Sequence, residues 1–283
     1  MNNIQIALIS TAQDVSFGEL SQVSAAIQKQ VSRDFAPIWN VNATVDCFDG
    51  LASVPPGYWI VTVTSDLDPA DGGGIHRAED GRPFALVRSG EGWSVSASHE
   101  TLEMIIDPLE GRFVSAQSPI SGQGRVDFLV EVCDPCQAAT FAYPVNGKSV
   151  SDFITPNYFD PVTNSAVRYS FTGAVKRPLE VLRGCYLTWQ DPVSGHSFQE
   201  SFFGETPLFD DLGPTPPPLE RSFRSMIYEK RAAITKSRRN ADALRRHDKV
   251  AESVAKASLA RASRLQREIA ELLTGYHEGQ ESR

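Results

Sequence analysis

The sequence has no run of eighteen apolar residues, so no membrane-spanning helix is expected. Its opening, Met1 to Ser10, carries no basic stretch and too short an apolar run for a secretory signal, and is read as a first strand. Cysteine is scarce. Cys47, Cys133, Cys136 and Cys185 stand at uneven spacing and supply no disulfide framework. These absences give a cytoplasmic expectation. Proline and glycine are both missing from residues 219–274, which sets that stretch apart from the rest.

What is present is enough for a buried core. The 283 residues are 41% hydrophobic and 22% charged, sufficient for one large domain or two small ones. The formal net charge of −8 conceals an asymmetry. Residues 219–283 hold 15 Lys+Arg against 9 Asp+Glu, a surplus of six positive charges, which leaves 12 against 26 elsewhere. An acidic body therefore carries a basic tail.

Residues 4–9 alternate little and are expected as a buried strand. Phe17, Leu20, Val23, Ile27, Val31 and Phe35 recur at helical spacing, which predicts one helix over 17–39 with Asp14 or Ser16 as its cap. Strands follow over 43–48 and 58–64, separated by Pro55-Pro56-Gly57. This order predicts an α+β fold with a mixed sheet backed by a helix. Gly72-Gly73-Gly74-Ile75-His76-Arg77 is glycine-rich but lacks the spacing of a phosphate loop. Asp80-Gly81-Arg82-Pro83 is read as a turn and 84–87 as a short edge strand, where an extended peptide could add. Residues 109–212 form a β-rich second half: a strand over 126–132, short strands around 141–145, 150–154, 169–171 and 186–189, and an Asn146-Gly147 hairpin turn. The proline run over 213–218 is a stiff linker, and 219–283 a long helical arm closed by Gly275. The body thus divides as 1–108, carrying sheet and metal helix, and 109–212.

The most informative stretch is Ser98-His99-Glu100-Thr101-Leu102-Glu103-Met104-Ile105-Ile106-Asp107-Pro108. It is expected as one helix, started near Gly92 or Ser94 and stopped by Pro108, with Val95, Leu102, Ile105 and Ile106 on its buried side. His99 and Glu103 are four apart and share a face one turn from each other. This is the His-Glu-x-x-His pattern of zinc helices with Glu in place of the second His. Two side chains bind a divalent metal, and the intervening Glu100 serves as general base on water. A catalytic zinc needs a third protein ligand. Asp107 lies eight residues from His99, about 12 Å along a helix axis, and is assigned a supporting role. Glu131 and Asp134, just past a strand, are the candidates, with Glu131 placed first. His76 is a supporting residue, while His196 is taken as an ordinary polar residue. Cys133 and Cys136 are read as a packed or reactive thiol pair.

The order Gly74-x-His76, Gly81-Arg82-Pro83, Ser98-His99-Glu100-x-x-Glu103-x-x-x-Asp107-Pro108 and Glu131-x-x-Asp134-x-Cys136 resembles a group of zincin-like, metallopeptidase-like bacterial and phage proteins that share the last two motifs. The resemblance spans residues 58–160, extends over the body to about residue 205 and does not reach the arm. It implies a zincin-like fold and a metallopeptidase-type site. The departure is Glu103 where characterised metallopeptidases carry His, which makes Mn²⁺ an alternative to Zn²⁺. The expected function is a metal-dependent peptidase acting on a peptide or protein substrate. The alternative is an inactive zincin-like body of a phage or bacterial assembly, virion-associated and docked through residues 219–283. Nucleic-acid binding is not expected, because the basic surplus is small and lacks interleaved aromatics. A homo-oligomer is left open.

Overall fold

The structure, a computed structural model, describes residues 3–68 and 72–214. They form a mixed α+β body. The first sheet is built from β1 (Ile4–Ser10), β2 (Ala43–Cys47), β3 (Trp59–Thr64), β4 (Gly74–Glu79) and β5 (Arg82–Arg88), in the order β2-β1-β3-β5-β4. All neighbours run parallel except β4, which pairs antiparallel with β5 at the edge. Ile6, Ala7, Leu8 and Ile9 are buried in succession, as an interior strand of a parallel sheet requires.

Two expectations about this sheet need correction. Residues 84–87 belong to β5, which lies inside the sheet between β3 and β4. The edge is β4, formed from the stretch read as a glycine-rich loop. Its pairing to β5 is closed by Asp80-Gly81, both with positive φ (51° and 71°), the geometry of a tight hairpin turn.

The helix expected over 17–39 is interrupted. Helix α1 (Phe17–Lys29) is capped by Ser16, whose side chain accepts the Glu19 amide hydrogen. The chain then widens into a π-helical turn, Gln30–Phe35, before the short α2 (Ala36–Trp39). Pro37 has no amide hydrogen to continue an α-helical ladder, and it sits in the first turn of α2, where none is needed.

Helix α3 (Trp93–Ile106) starts after Gly92, which has φ 81°, and ends at Asp107 ahead of Pro108. It is buried on all sides from Ala97 to Ile106, rather than along one stripe. It packs on β3, β4 and β5 and against the hairpin of β8 (Tyr143–Val145) and β9 (Lys148–Val150). That hairpin turns at Asn146-Gly147, again with both φ positive.

The second sheet is antiparallel. It comprises β6 (Phe113–Gln117), β7 (Arg125–Leu129), β10 (Tyr186–Gln190), β11 (His196–Ser201) and β12 (Leu208–Pro214), ordered β12-β11-β10-β7-β6. One apolar core runs between the sheets, with Phe35, Val61, Leu102, Phe128, Phe153 and Trp189 among its members. Phe35 meets Phe153 edge-on at 4.9 Å between ring centroids. Strand β12 carries the body past 212 to Pro214, at a strand end where the missing proline donor costs no ladder bond. The remainder of the proline run and the arm over 219–283 lie outside the described residues. No helix among the described residues is long and apolar enough to cross a membrane.

Candidate metal centre

Three segments converge. Helix α3 delivers His99, Glu100 and Glu103 from adjacent turns. Strand β4 delivers His76 from the sheet edge. The irregular segment after β7 delivers Glu131, Cys133 and Asp134. All are buried; His76 and Glu103 are 0% exposed and His99 is 7% exposed.

The close approach of β4 to α3 depends on a glycine. A Cβ at Gly74 would stand 2.8 Å from Glu100 Cγ and 3.2 Å from the Leu86 carbonyl oxygen, so a side chain there would push strand from helix. The other flank is fixed by a buried polar chain. Ser98 Oγ donates to Gln30 Oε1 at 2.7 Å and accepts the Ser151 amide hydrogen at 3.0 Å. Gln30 Nε2 in turn donates to the Ser151 carbonyl at 2.8 Å. The π-helical turn starts at Gln30, which is fully buried at that position. Ser98, the first residue of the motif, therefore anchors α3 and does not face the centre.

Around His99, the imidazole Nε2 lies 3.1 Å from Glu103 Oε2, 3.4 Å from Asp134 Oδ1 and 3.9 Å from Glu100 Oε1. Around His76, Nδ1 lies 3.4 Å from Glu100 Oε2 and 3.7 Å from Glu103 Oε2. The Cys133 amide donates to Glu103 Oε1 at 3.1 Å and fixes that carboxylate's orientation. Among the described residues, three ligand groups have donor atoms within 4.8 Å of one another: His99, Glu103 and Cys133; His76, Glu100 and Glu103; and Glu103, Glu131 and Asp134. Glu103 belongs to all three.

The separations suit a cation. Bonds of about 2.0–2.2 Å, at tetrahedral or octahedral angles, place neighbouring ligand atoms about 2.8–3.6 Å apart. The His99–Glu103 and His99–Asp134 distances fall on such edges. A proton on His99 can bridge the same atoms by hydrogen bonds, so proton and cation are alternative occupants. Burial alone would lower the His99 pKa. The Glu103 and Glu100 carboxylates, with hydrogen bonds to Asp134 and Glu103, outweigh it and hold the imidazole well above its ordinary value. The donor set of imidazole and carboxylate accommodates zinc and equally a harder divalent ion.

The remaining candidates fall into place. Asp134 is the carboxylate set directly against His99, whereas Glu131 reaches the group through Glu103 and Asp134. Asp107 closes the end of α3, accepting the Gly111 amide hydrogen at 2.9 Å through Oδ1. Cys133 and Cys136 are buried packed thiols. Burial, then the Glu103 charge for Cys133 and the Asp152 charge for Cys136, pushes each well above the ordinary thiol value. Cys133 Sγ lies 3.9 Å from the His99 carbonyl oxygen. His196 sits away from the centre on β11, 3.0 Å from Asp211. Sequence reasoning missed how tightly His76 and Cys133 join the cluster. The Asp80-Gly81 hairpin signal was available to place His76 on a strand beside the helix. Neither protein-family models, nor curated proteins, nor solved structures gave a match to the chain.

Proposed function

We propose that the chain is a metal-dependent hydrolase of zincin-like type acting on peptide bonds, with His99, Glu103 and Asp134 as ligands and Glu131 completing their carboxylate environment. The observation that carries this reading is His99 Nε2 flanked by Glu103 Oε2 at 3.1 Å and Asp134 Oδ1 at 3.4 Å, with Glu103 and Asp134 also joined to Glu131 in a group whose ligand atoms lie within 4.8 Å of one another. A bound Zn²⁺ or Mn²⁺ would supply Lewis acidity toward a carbonyl oxygen and raise the nucleophilicity of water at neutral pH. The protein's own groups do the rest. Glu100 is the base: its Oε1, on the His99 side, would take the proton of the attacking water and give it to the amine nitrogen released as the C–N bond breaks, while its Oε2 faces His76 and keeps the carboxylate aimed. The Cys133 amide keeps Glu103 from swinging away. Strand β4, at the sheet edge beside α3, offers the backbone edge onto which an extended peptide would pair.

Elemental analysis of full-length protein dialysed against Zn²⁺ tests the reading. Wild type should retain at least one equivalent, and His99→Ala should lose it. Glu100→Gln should keep the cation at His99 and lower hydrolysis of labelled casein by about 10²–10⁴-fold, the usual contribution of a general base. Wild-type protein that retains no metal refutes the proposal.

The burial of every ligand favours one competing reading, a metal-stabilised body without turnover. It predicts the same metal content with no hydrolysis in wild type. A role as an assembly component docked through residues 219–283 rests on a segment outside the described residues.

A further inference from the structure

We propose that His76, Glu100 and Glu103 hold a second divalent cation beside the one at His99, with Glu103 Oε2 as the shared ligand atom. The inference rests on the metal-centre reading above and extends it. His76 is fully buried, and its Nδ1 is turned to Glu100 Oε2 at 3.4 Å and Glu103 Oε2 at 3.7 Å. The first of these separations matches a coordination edge and the second is slightly longer than one; with the third side held within 4.8 Å they outline a face separate from the one at His99, which a cation would draw in. Both faces meet at a single atom. Glu103 Oε2 stands 3.1 Å from His99 Nε2 and 3.7 Å from His76 Nδ1, whereas Oε1 is engaged by the Cys133 amide. An oxygen pinned between two imidazoles is the arrangement that bridges a cation pair, whose members lie about 3.5–4 Å apart in two-metal sites. The fold enforces this face. Gly74 lets β4 lie directly on Glu100, and His76, two residues on and so on the same face of the strand, meets the same carboxylate.

The second position has a consequence for chemistry. It captures the Glu100 carboxylate, the base of the proposed reaction, so filling it is inhibitory. The first cation sits at His99, Glu103 and Asp134, and the second binds more weakly because it shares a ligand with a neighbouring positive charge.

The test uses full-length protein stripped with chelator and dialysed against graded Mn²⁺, read by metal content and by electron paramagnetic resonance. Wild type should take up two equivalents, the second at least tenfold more weakly. Its spectrum should change from isolated to exchange-coupled Mn²⁺ as the second equivalent binds. His76→Phe, which keeps the ring volume and removes the donor atom, should stop at one equivalent with an unchanged circular dichroism spectrum. Glu100→Gln provides the same reading should that variant fail to fold. Saturation of wild type at one equivalent overturns the second position and leaves the first intact, and so do two equivalents with uncoupled spectra. Uptake of none overturns both. Hydrolysis measured in parallel should peak at one equivalent and fall about hundredfold at two, in line with loss of a general base. A rate that still rises as the second equivalent binds overturns the inhibitory role.

Discussion

Gly74→Ala isolates the contact between β4 and α3 on which the centre depends. The added Cβ would lie 2.8 Å from Glu100 Cγ, 3.0 Å from Glu100 Oε1 and 3.2 Å from the Leu86 carbonyl oxygen. Carbon atoms in ordinary contact stand about 3.5–4.0 Å apart, so the shortfall at Cγ is about 0.7 Å or more. It is not easily relieved. Cγ is close to the α3 backbone, the carboxylate beyond it faces His76, and the Leu86 oxygen belongs to β5. Overpacking of this kind costs about 1–3 kcal/mol. The loss of glycine's freedom in the unfolded chain offsets about 0.4–1 kcal/mol. The net destabilisation is about 1–2 kcal/mol, and for a body of this size each kcal/mol lowers Tm by about 2–4 °C. Gly73→Ala is the matched control. Its Cβ would meet the Ser96 hydroxyl oxygen at 2.7 Å and Ser96 Cβ at 3.7 Å, and a hydroxyl rotates away at little cost. Thermal unfolding of the two full-length variants, followed by circular dichroism, should therefore place Gly74→Ala several degrees below Gly73→Ala. Equal midpoints, or a Gly74→Ala variant as stable as wild type, would refute the argument that the strand is laid tightly on Glu100.

Ser98→Ala removes the donor to Gln30 Oε1 and the acceptor for the Ser151 amide, both buried, and should cost about 1–3 kcal/mol in urea titration while leaving metal stoichiometry unchanged. Burial pushes the Glu200 carboxyl from 4.5 up to about 7, against the pull of Arg177. The folded protein holds this proton more tightly than the unfolded chain, so stability falls as pH rises through that interval, and Glu200→Gln should abolish that part of the slope and be more stable than wild type at pH 8. A disulfide reagent added to native protein should titrate Cys47 and spare Cys133, Cys136 and Cys185 until denaturant is added, because the last three are buried with raised pKa values. Free Zn²⁺ at one hundred times its Kd should add about 2.7 kcal/mol of stability. Tm should rise by about 5–11 °C, chelator should reverse the shift, and His99→Ala should not respond.

The sequence was legible where local signals and tertiary pairing agree. The buried strand over 4–9, the Ser16 cap, the start and stop of α3 and the Asn146-Gly147 turn are each carried by a short pattern of residues. It was less legible where the neighbour decides. Glycines 72–74 look like a loop, yet Gly74 begins a strand because β5 supplies its partner and α3 leaves no room for a side chain. Phe84 to Val87 resembles an edge because it is short, but sheet order is not written in a strand's own residues. The π-helical turn at Gln30 conceals itself in an apolar repeat that continues on either side of it. Residues 208–214, with Asp210, Asp211 and Gly213, carry little strand propensity and pair only because β11 lies alongside. At the centre, His99, Glu100 and Glu103 share one short motif. His76, 23 residues earlier than His99, reaches them only through a hairpin and a sheet edge.

Helix α3 breaks the rule that a buried helix is apolar, and the way it does so bears on its purpose. Ten successive residues, from Ala97 to Ile106, are buried, and five of them are polar. Two have structural hydrogen bonds: Ser98 ties the helix to Gln30, and Thr101 Oγ1 donates to the Ala97 carbonyl one turn back at 2.6 Å. The other three are His99, Glu100 and Glu103, whose two carboxylates lie toward both His99 and His76. Buried ionic groups of this kind are commonly no better for stability than apolar residues of similar volume, and replacing them can stabilise a protein by about 1–4 kcal/mol. Folding alone therefore gives no reason to gather an imidazole and two carboxylates on adjacent turns, bring a second imidazole onto them with a strand that must be glycine at one position, and place Asp134 against the first. Departures from local stability that coincide on one point in space are characteristic of a site under functional constraint, and the shared cation we propose would account for all of them together.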